Sequence, residues 1–172
     1  MKKNKKNKKT DLATYIVIII FVILIRTFIV TPVRVNGTSM DTTLHNKEIM
    51  LLNKLDYRFN KIKRFDIVVL NYNNDKLIKR VIGLPGETLE YKNSVLYING
   101  KAVEEYFKNQ ETKDFNITDL GYKTIPKDCY FVMGDNRKDS LDSRMLGCID
   151  KKDILGSANL VIYPFKDLGI KK

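Results

Sequence analysis

A serine at position 39, in the stretch NGTSMDTTLHN, and a lysine at position 79, in DKLIKRVIGLPGE, are the side chains here best suited to nucleophilic chemistry. A serine hydroxyl attacks a carbonyl only when a base that is neutral at working pH lies within hydrogen-bond reach. The single histidine, His45, is six residues from Ser39 and reads more simply as a surface residue, so a Ser-His-Asp triad is poorly supplied. A lysine can replace it. Its amine normally deprotonates near pH ~10.4, so work near neutrality needs a downward shift of about three units, or roughly 4 kcal/mol. Desolvation can supply that much. Most other lysines lie in loops or on polar faces, whereas Lys79 stands in an apolar, strand-like run. An edge-strand lysine that discourages aggregation would occupy the same place. Forty residues separate the pair, so no local spacing brings them together. A third segment, MGDNRKDSLDSR from Met133 to Arg144, suits a hydrogen-bonded polar network; taken alone it reads equally as an Asx-rich loop with exposed ion pairs.

These residues must be held by the elements around them. Ahead of Ser39 runs LATYIVIIIFVILIRTFIV, Leu12 to Val30, nineteen residues with one charge, Arg26. That length is expected to cross a hydrocarbon core as a single transmembrane helix, and Arg26 lies near the end where its stem can reach headgroups. The lysines before the span place residues 1–11 in the cytoplasm as a basic tail, and residues 31–172 outside it. A cleavable signal peptide also begins with basic and apolar runs. The exit RTFIVTPVRVNG lacks the small residues that cleavage needs, so a retained anchor is expected.

The 172 residues, 44% of them hydrophobic, allow one packed domain plus this appendage. The net charge of +11 is concentrated: MKKNKKNKK contributes six of the excess positive charges, and the mild remainder needs no nucleic-acid partner. Beyond the anchor, short β-rich runs such as FDIVVLNY, KLIKRVI, VLYI, CYFVM and NLVIYP alternate with Gly, Asn, Asp and Pro clusters. Asn93-Ser94 and Asn99-Gly100 within EYKNSVLYINGKAV mark hairpins. The fold class is therefore mainly β: one transmembrane helix and an extracytoplasmic antiparallel β-sheet domain. Cys129 and Cys148 read as two small half-buried hydrophobes, although a disulfide is chemically permitted on that side of the membrane.

In combination these segments resemble the bacterial type I signal peptidases, membrane-anchored Ser/Lys endopeptidases, in the compact Gram-positive form. GTSMDTTL resembles their nucleophile segment, RFDIVVL a strand segment, KRVIGLPGE the base segment, and MGDNRKDSLDSR the polar segment, all in family order. The resemblance implies Ser39 as nucleophile, Lys79 as general base, and Ser140 as hydrogen-bond partner of the lysine amine. It also implies an ion pair of Asp142 with Arg144, and supporting roles for Asp135 and Arg137. The Ser39 amide would stabilise the oxyanion. Where some relatives add a second donor, this chain has Gly37, leaving Thr38, water or no group in that role. Thr42 replaces a usual proline, which would loosen the turn after the nucleophile, and Phe65 replaces a glycine, adding bulk near Asp66.

By the same resemblance, substrate lies extended as an added strand, with small residues at the first and third positions before the cut facing Val33, Val35, Met40, Leu77 and Ile78. No metal or cofactor is required. The implied partners are exported preproteins with signal peptides and the phospholipid bilayer, with no nucleic acid and a monomeric enzyme. A different class, a catalytically silent factor in surface-protein or pilus assembly, is kept open by Thr42 and Phe65 and disfavoured by retention of Ser39 and Lys79. Self-cleaving repressors share a Ser/Lys β fold but are soluble, which the apolar span argues against.

Overall fold

The computed structural model describes residues 8–73 and 75–171, with side chains from Leu12 onward; residues 1–7 of the basic tail lie outside the described residues. Helix α1 spans Lys8–Phe28. Val30, expected to close the apolar span, instead opens strand β1 (Val30–Arg34). Pro32 cannot continue the helix and drives Thr31 before it to extended backbone, and Val30 pairs with Asn53 of the next strand. The carbonyls at the end of α1 are taken up by the domain: Arg26 O accepts Thr31 Oγ1 at 2.7 Å and Thr27 O accepts Lys54 Nζ at 2.9 Å. Every side chain from Leu12 to Leu24 is exposed. Among the described residues no helix is long and apolar enough to cross a membrane. The described side chains of α1 cover about 25 Å at 1.5 Å per residue, against a hydrocarbon core of ~30 Å.

The remaining elements are β2 (Ile49–Asn53), α2 (Asp56–Phe59), β3 (Ile67–Tyr72), β4 (Asp75–Gly83), β5 (Leu89–Lys92), β6 (Val95–Ile98), β7 (Lys101–Val103), β8 (Phe115–Asn116), β9 (Cys129–Met133), α3 (Ser143–Leu146), β10 (Ile149–Asp150), β11 (Ile154–Tyr163) and β12 (Gly169–Ile170), with short 3-10 turns between some of them. They form two antiparallel sheets, ordered β1-β2-β11-β3-β4-β9-β10 with β12 beside β11, and β7-β6-β5-β8. The hairpin dipeptides behave as their types dictate: Asn93, Ser94, Asn99 and Gly100 all take positive φ, the twist that a two-residue turn needs.

The apolar runs of β3 and β9 are continuous because both faces of these strands are covered. In β3, Ile67 and Val69 enter one core cluster while Val68 and Leu70 enter another. In β9, Tyr130 and Val132 join that second cluster, and Cys129, Phe131 and Met133 turn to a third, which the small sheet completes with Leu89, Tyr91, Leu96 and Ile98. Strand β4 runs through the middle and is where the three clusters meet.

Phe65, just ahead of β3, sits at φ 72, in the left-handed region that favours glycine, the residue the family resemblance leads one to expect there. Its bulk does not crowd Asp66. The backbone is fixed by bonds from Phe65 N to Val81 O (2.7 Å) and from Arg80 Nη1 to Phe65 O (2.9 Å). The ring makes edge contacts with Tyr106 and Phe107 at 5.1 and 5.2 Å and is buried. Strain at the backbone is thus offset by aromatic burial. Replacing Phe65 should cost several kcal/mol, and Phe65→Gly should be about 1 kcal/mol less damaging than Phe65→Ala because only alanine retains the left-handed penalty. Chemical denaturation of both variants measures this; alanine proving the milder change would show that the positive φ carries no strain.

Candidate active site

Lys79 and Ser39 meet. Lys79 Nζ donates to Ser39 Oγ at 2.6 Å, and Lys79 is only 2% exposed. It stands in β4 one residue before pairing with β9 begins at Arg80↔Met133, so its flank toward Ser39 is not occupied by a strand. Burial pushes the amine down to about 8 from its usual value above 10; the charges of Asp142 and Asp135 oppose the shift and Arg144 adds to it. An amine in this state is neutral in a useful fraction of molecules near neutrality and can accept the proton of the hydroxyl it touches. His45 is elsewhere employed: its ring is exposed and Nδ1 lies 2.9 Å from Asp41 Oδ1.

Ser39 lies in a turn closed by Asp41 N to Thr38 O (2.9 Å) and preceded by Gly37 at φ +93. The polar segment after β9 grips this turn. Asn136 N donates to Ser39 O at 3.1 Å and Asn136 Nδ2 to Thr38 O at 3.2 Å. Thr38 Oγ1 donates to Asp139 Oδ2 at 2.8 Å, so this hydroxyl proton is not free to act as a second oxyanion donor. The Ser39 amide has no hydrogen-bond partner among the described residues. Thr42 does not loosen the loop: it takes φ 105, which a proline ring cannot adopt, and its Oγ1 donates to Lys108 O at 2.5 Å.

Gly134 lets the two segments close. A Cβ there would fall 2.3 Å from both Ser39 O and Ser140 Oγ, which places these oxygens within about 5 Å of each other. Ser140 is buried, yet its Oγ makes no hydrogen bond, so the bond to the Lys79 amine implied by the resemblance is not formed. Ser140 is near enough to the Asp142 carboxyl to favour its charge slightly without a bond of ordinary geometry. Asp142 and Arg144 do pair, at 2.9 and 2.8 Å, and Asp142 Oδ2 also accepts Gly134 N at 3.0 Å. Burial raises the Asp142 pKa, but the arginine, the amide and Ser140 together outweigh it and leave it low.

Asp135 and Arg137 do not pair with each other. Asp135 receives a two-pronged bond from Arg80, Nε to Oδ1 at 2.8 Å and Nη2 to Oδ2 at 2.7 Å, with both residues fully buried. Thr43 Oγ1 adds a bond to Asp135 at 2.5 Å, tying the Ser39 loop to the same carboxylate. The Arg80 guanidinium also lies 3.9 Å over the Phe107 ring. Arg137 pairs instead with Glu105 and donates to Tyr91 and Thr112. Arg80 and Glu105 were not legible as site residues; the basic pair Lys79-Arg80 within an apolar run was the only signal for the former.

A groove of about 550 Å³ leads to Ser39 between Pro32–Arg34 of β1 and Asp75–Ile78 of β4. It continues into a recess of about 30 Å³ bordered by Val35, Met40, Leu77, Ile78, Ser39 and Lys79. Val33, Leu77 and Ile78 line the groove; Val35 and Met40 line the recess. Strand β1 is the edge of its sheet, and β4 is unpaired on this flank before Arg80.

Comparison with known proteins gives one answer. Residues 9–163 match the family described as signal peptidase, peptidase S26. Signal peptidase I of Bacillus amyloliquefaciens is 42% identical over 97% of this chain and 95% of its own, and signal peptidase I P of Bacillus subtilis subsp. natto is 46% identical over 93% and 94%. A crystal structure of a signal peptidase I from Enterococcus faecalis, 38% identical, superposes with a TM-score of 0.53 over 57% of this chain and 97% of that one. With near-complete coverage of full-length relatives and a solved relative of the same architecture, the chain belongs to the type I signal peptidases of the peptidase S26 family.

Proposed function

We propose that this protein is a membrane-anchored serine endopeptidase that removes N-terminal signal peptides from exported preproteins, with Ser39 as nucleophile and Lys79 as general base. The observation that carries the reading is the 2.6 Å contact between a buried, partner-poor lysine and Ser39 Oγ. Neutral Lys79 takes the Ser39 proton as Oγ attacks the scissile carbonyl. The oxyanion forms against the unpartnered Ser39 amide. The protonated lysine then gives its proton to the departing amine of the mature chain, leaving an acyl-enzyme, and accepts another from the water that hydrolyses it. A silent assembly factor has no use for such a contact.

Substrate lies extended between two strand flanks with free hydrogen-bonding groups, those of β1 and of β4 ahead of Arg80. A recess of about 30 Å³ beside Ser39 admits a methyl group and rejects larger side chains by sterics, which supports a preference for small residues at the first and third positions before the cut. Asp142–Arg144, Asp135 and Arg137 act by holding the loop around this site. The exposed apolar helix supports placing an anchor in the bilayer. Helix α1 is apolar on all sides and exposed from Leu12 to Leu24, a surface that lipid accommodates and water does not. With the lysines before it cytoplasmic, the β domain stands outside, where signal peptides end.

Purified protein should cut a preprotein after an Ala-x-Ala sequence, and Ser39→Ala and Lys79→Ala should each abolish the cut with the fold intact. Because the base must be neutral, kcat/KM should climb with pH through about 8 and level off above it. Near wild-type processing by either variant removes the dyad assignment.

The same amine lowers stability. Its pKa is below that of the unfolded chain, so the unfolded state binds more protons between pH 8 and the ordinary lysine range, and stability rises with pH across that window. Below pH 8 the penalty is about 3 kcal/mol. Lys79→Met should therefore be more stable than wild type by about 1–3 kcal/mol at pH 7, an advantage that shrinks above pH 8. Denaturation at pH 7 and 10 tests it; an equal difference at both would mean the amine is not desolvated. Finally, the full chain should remain with membranes through alkaline carbonate extraction, and its release into the soluble fraction would remove the anchor.

A further inference from the structure

We infer that Asn136 is a positioning residue for the oxyanion donor, resting on the serine-peptidase reading above. The Ser39 amide belongs to the peptide unit whose carbonyl is Thr38 O. Peptide units are planar, and in the trans form C=O and N–H point in opposite directions. Whatever holds Thr38 O therefore aims the Ser39 N–H. Two donors do so, Asp41 N at 2.9 Å from within the turn and Asn136 Nδ2 at 3.2 Å from the polar segment. The Asn136 backbone N–H meanwhile holds Ser39 O at 3.1 Å, so one residue grips the carbonyls on either side of the nucleophile's Cα.

The orientation of the Asn136 amide is fixed by its surroundings. Its Oδ1 accepts Asp139 N at 3.3 Å, and Asp139 in turn accepts the Thr38 hydroxyl. Turning the amide over would set NH₂ against an N–H and oxygen against oxygen. A donor on Thr38 O also polarises the peptide and strengthens its N–H as a donor. This matters more here than in a site with two oxyanion donors: Gly37 has no hydroxyl to offer and that of Thr38 is committed to Asp139. Substrate binding along β1 and β4 does not involve Asn136, so its contribution belongs to the transition state.

The test compares Asn136→Ala and the isosteric Asn136→Asp with wild type and Ser39→Ala in cleavage of a preprotein, in affinity for a peptide aldehyde that mimics the tetrahedral state, and in thermal unfolding. Alanine should lower kcat about 10- to 100-fold with KM within twofold, and aldehyde affinity should fall in parallel with kcat/KM. Aspartate, which sets a charged oxygen against Thr38 O, should lower kcat further with little change in melting temperature. Unchanged kcat, a loss confined to KM, or aldehyde affinity held while kcat falls overturns the inference. Unfolding of both variants also overturns it, assigning Asn136 to the scaffold. Failure of wild type to cleave any preprotein is a separate result and removes the peptidase reading itself.

Discussion

The site depends on an ammonium group that is taken out of water without being given a carboxylate. Lys79 is almost fully buried, and its one hydrogen bond is to a hydroxyl. Two acids lie near enough to restore its charge, Asp142 and Asp135, but each is already engaged by an arginine, Arg144 and Arg80. The acid-arginine pairs fasten loops while presenting little net charge, so desolvation wins and the amine's pKa falls. Opening either pair would leave an unneutralised carboxylate beside the amine and draw its proton back. The two arginines thus act on the chemistry through electrostatics as well as through packing.

Around this centre the two sheets have different tasks. The large sheet supplies the flanks of β1 and β4 and leaves a gap between them. The small sheet covers the far end of β4 and β9 and holds Arg137 through Glu105 and Tyr91, which keeps the start of the polar segment in place. Gly134 is the hinge of this arrangement in a steric sense: with a Cβ in its place the nucleophile loop and Ser140 could not both approach β9.

Much of this was legible from residue types. The runs DIVVL and CYFVM declared strands, though not that both faces are covered, and Asn99-Gly100 declared its hairpin. Ser39, Lys79 and the polar segment were identified by order and type, although only the structure brings Ser39 and Lys79 together. What was not legible was partner choice. The resemblance implies supporting roles for Asp135 and Arg137 without partners, and each bonds a residue 32 to 55 positions away, because the turn after Gly134 sends neighbouring side chains in different directions. No periodicity encodes that. Phe65 and Thr42 looked like perturbations because their types were read without their backbone angles; both take positive φ and both are secured by their own side chains.

The Ser39 loop is held both from within and by the rest of the fold. Within itself it has the Asp41–Thr38, Thr43–Met40 and Leu44–Met40 turn bonds and the Asn46 bond to Gly37 N at 3.2 Å, while the hydroxyls of Thr38 and Thr43 reach residues 101 and 92 positions away. Those partners, Asp139 and Asp135, follow β9, which pairs with β4 from Arg80 onward. The alignment of Ser39 with Lys79 therefore draws on contacts made across the whole sheet. Contacts so distant in sequence carry a loop-closure cost that the completed sheet offsets. An exposed serine-lysine pair would be a poor nucleophile in any case, because in water the lysine keeps its proton.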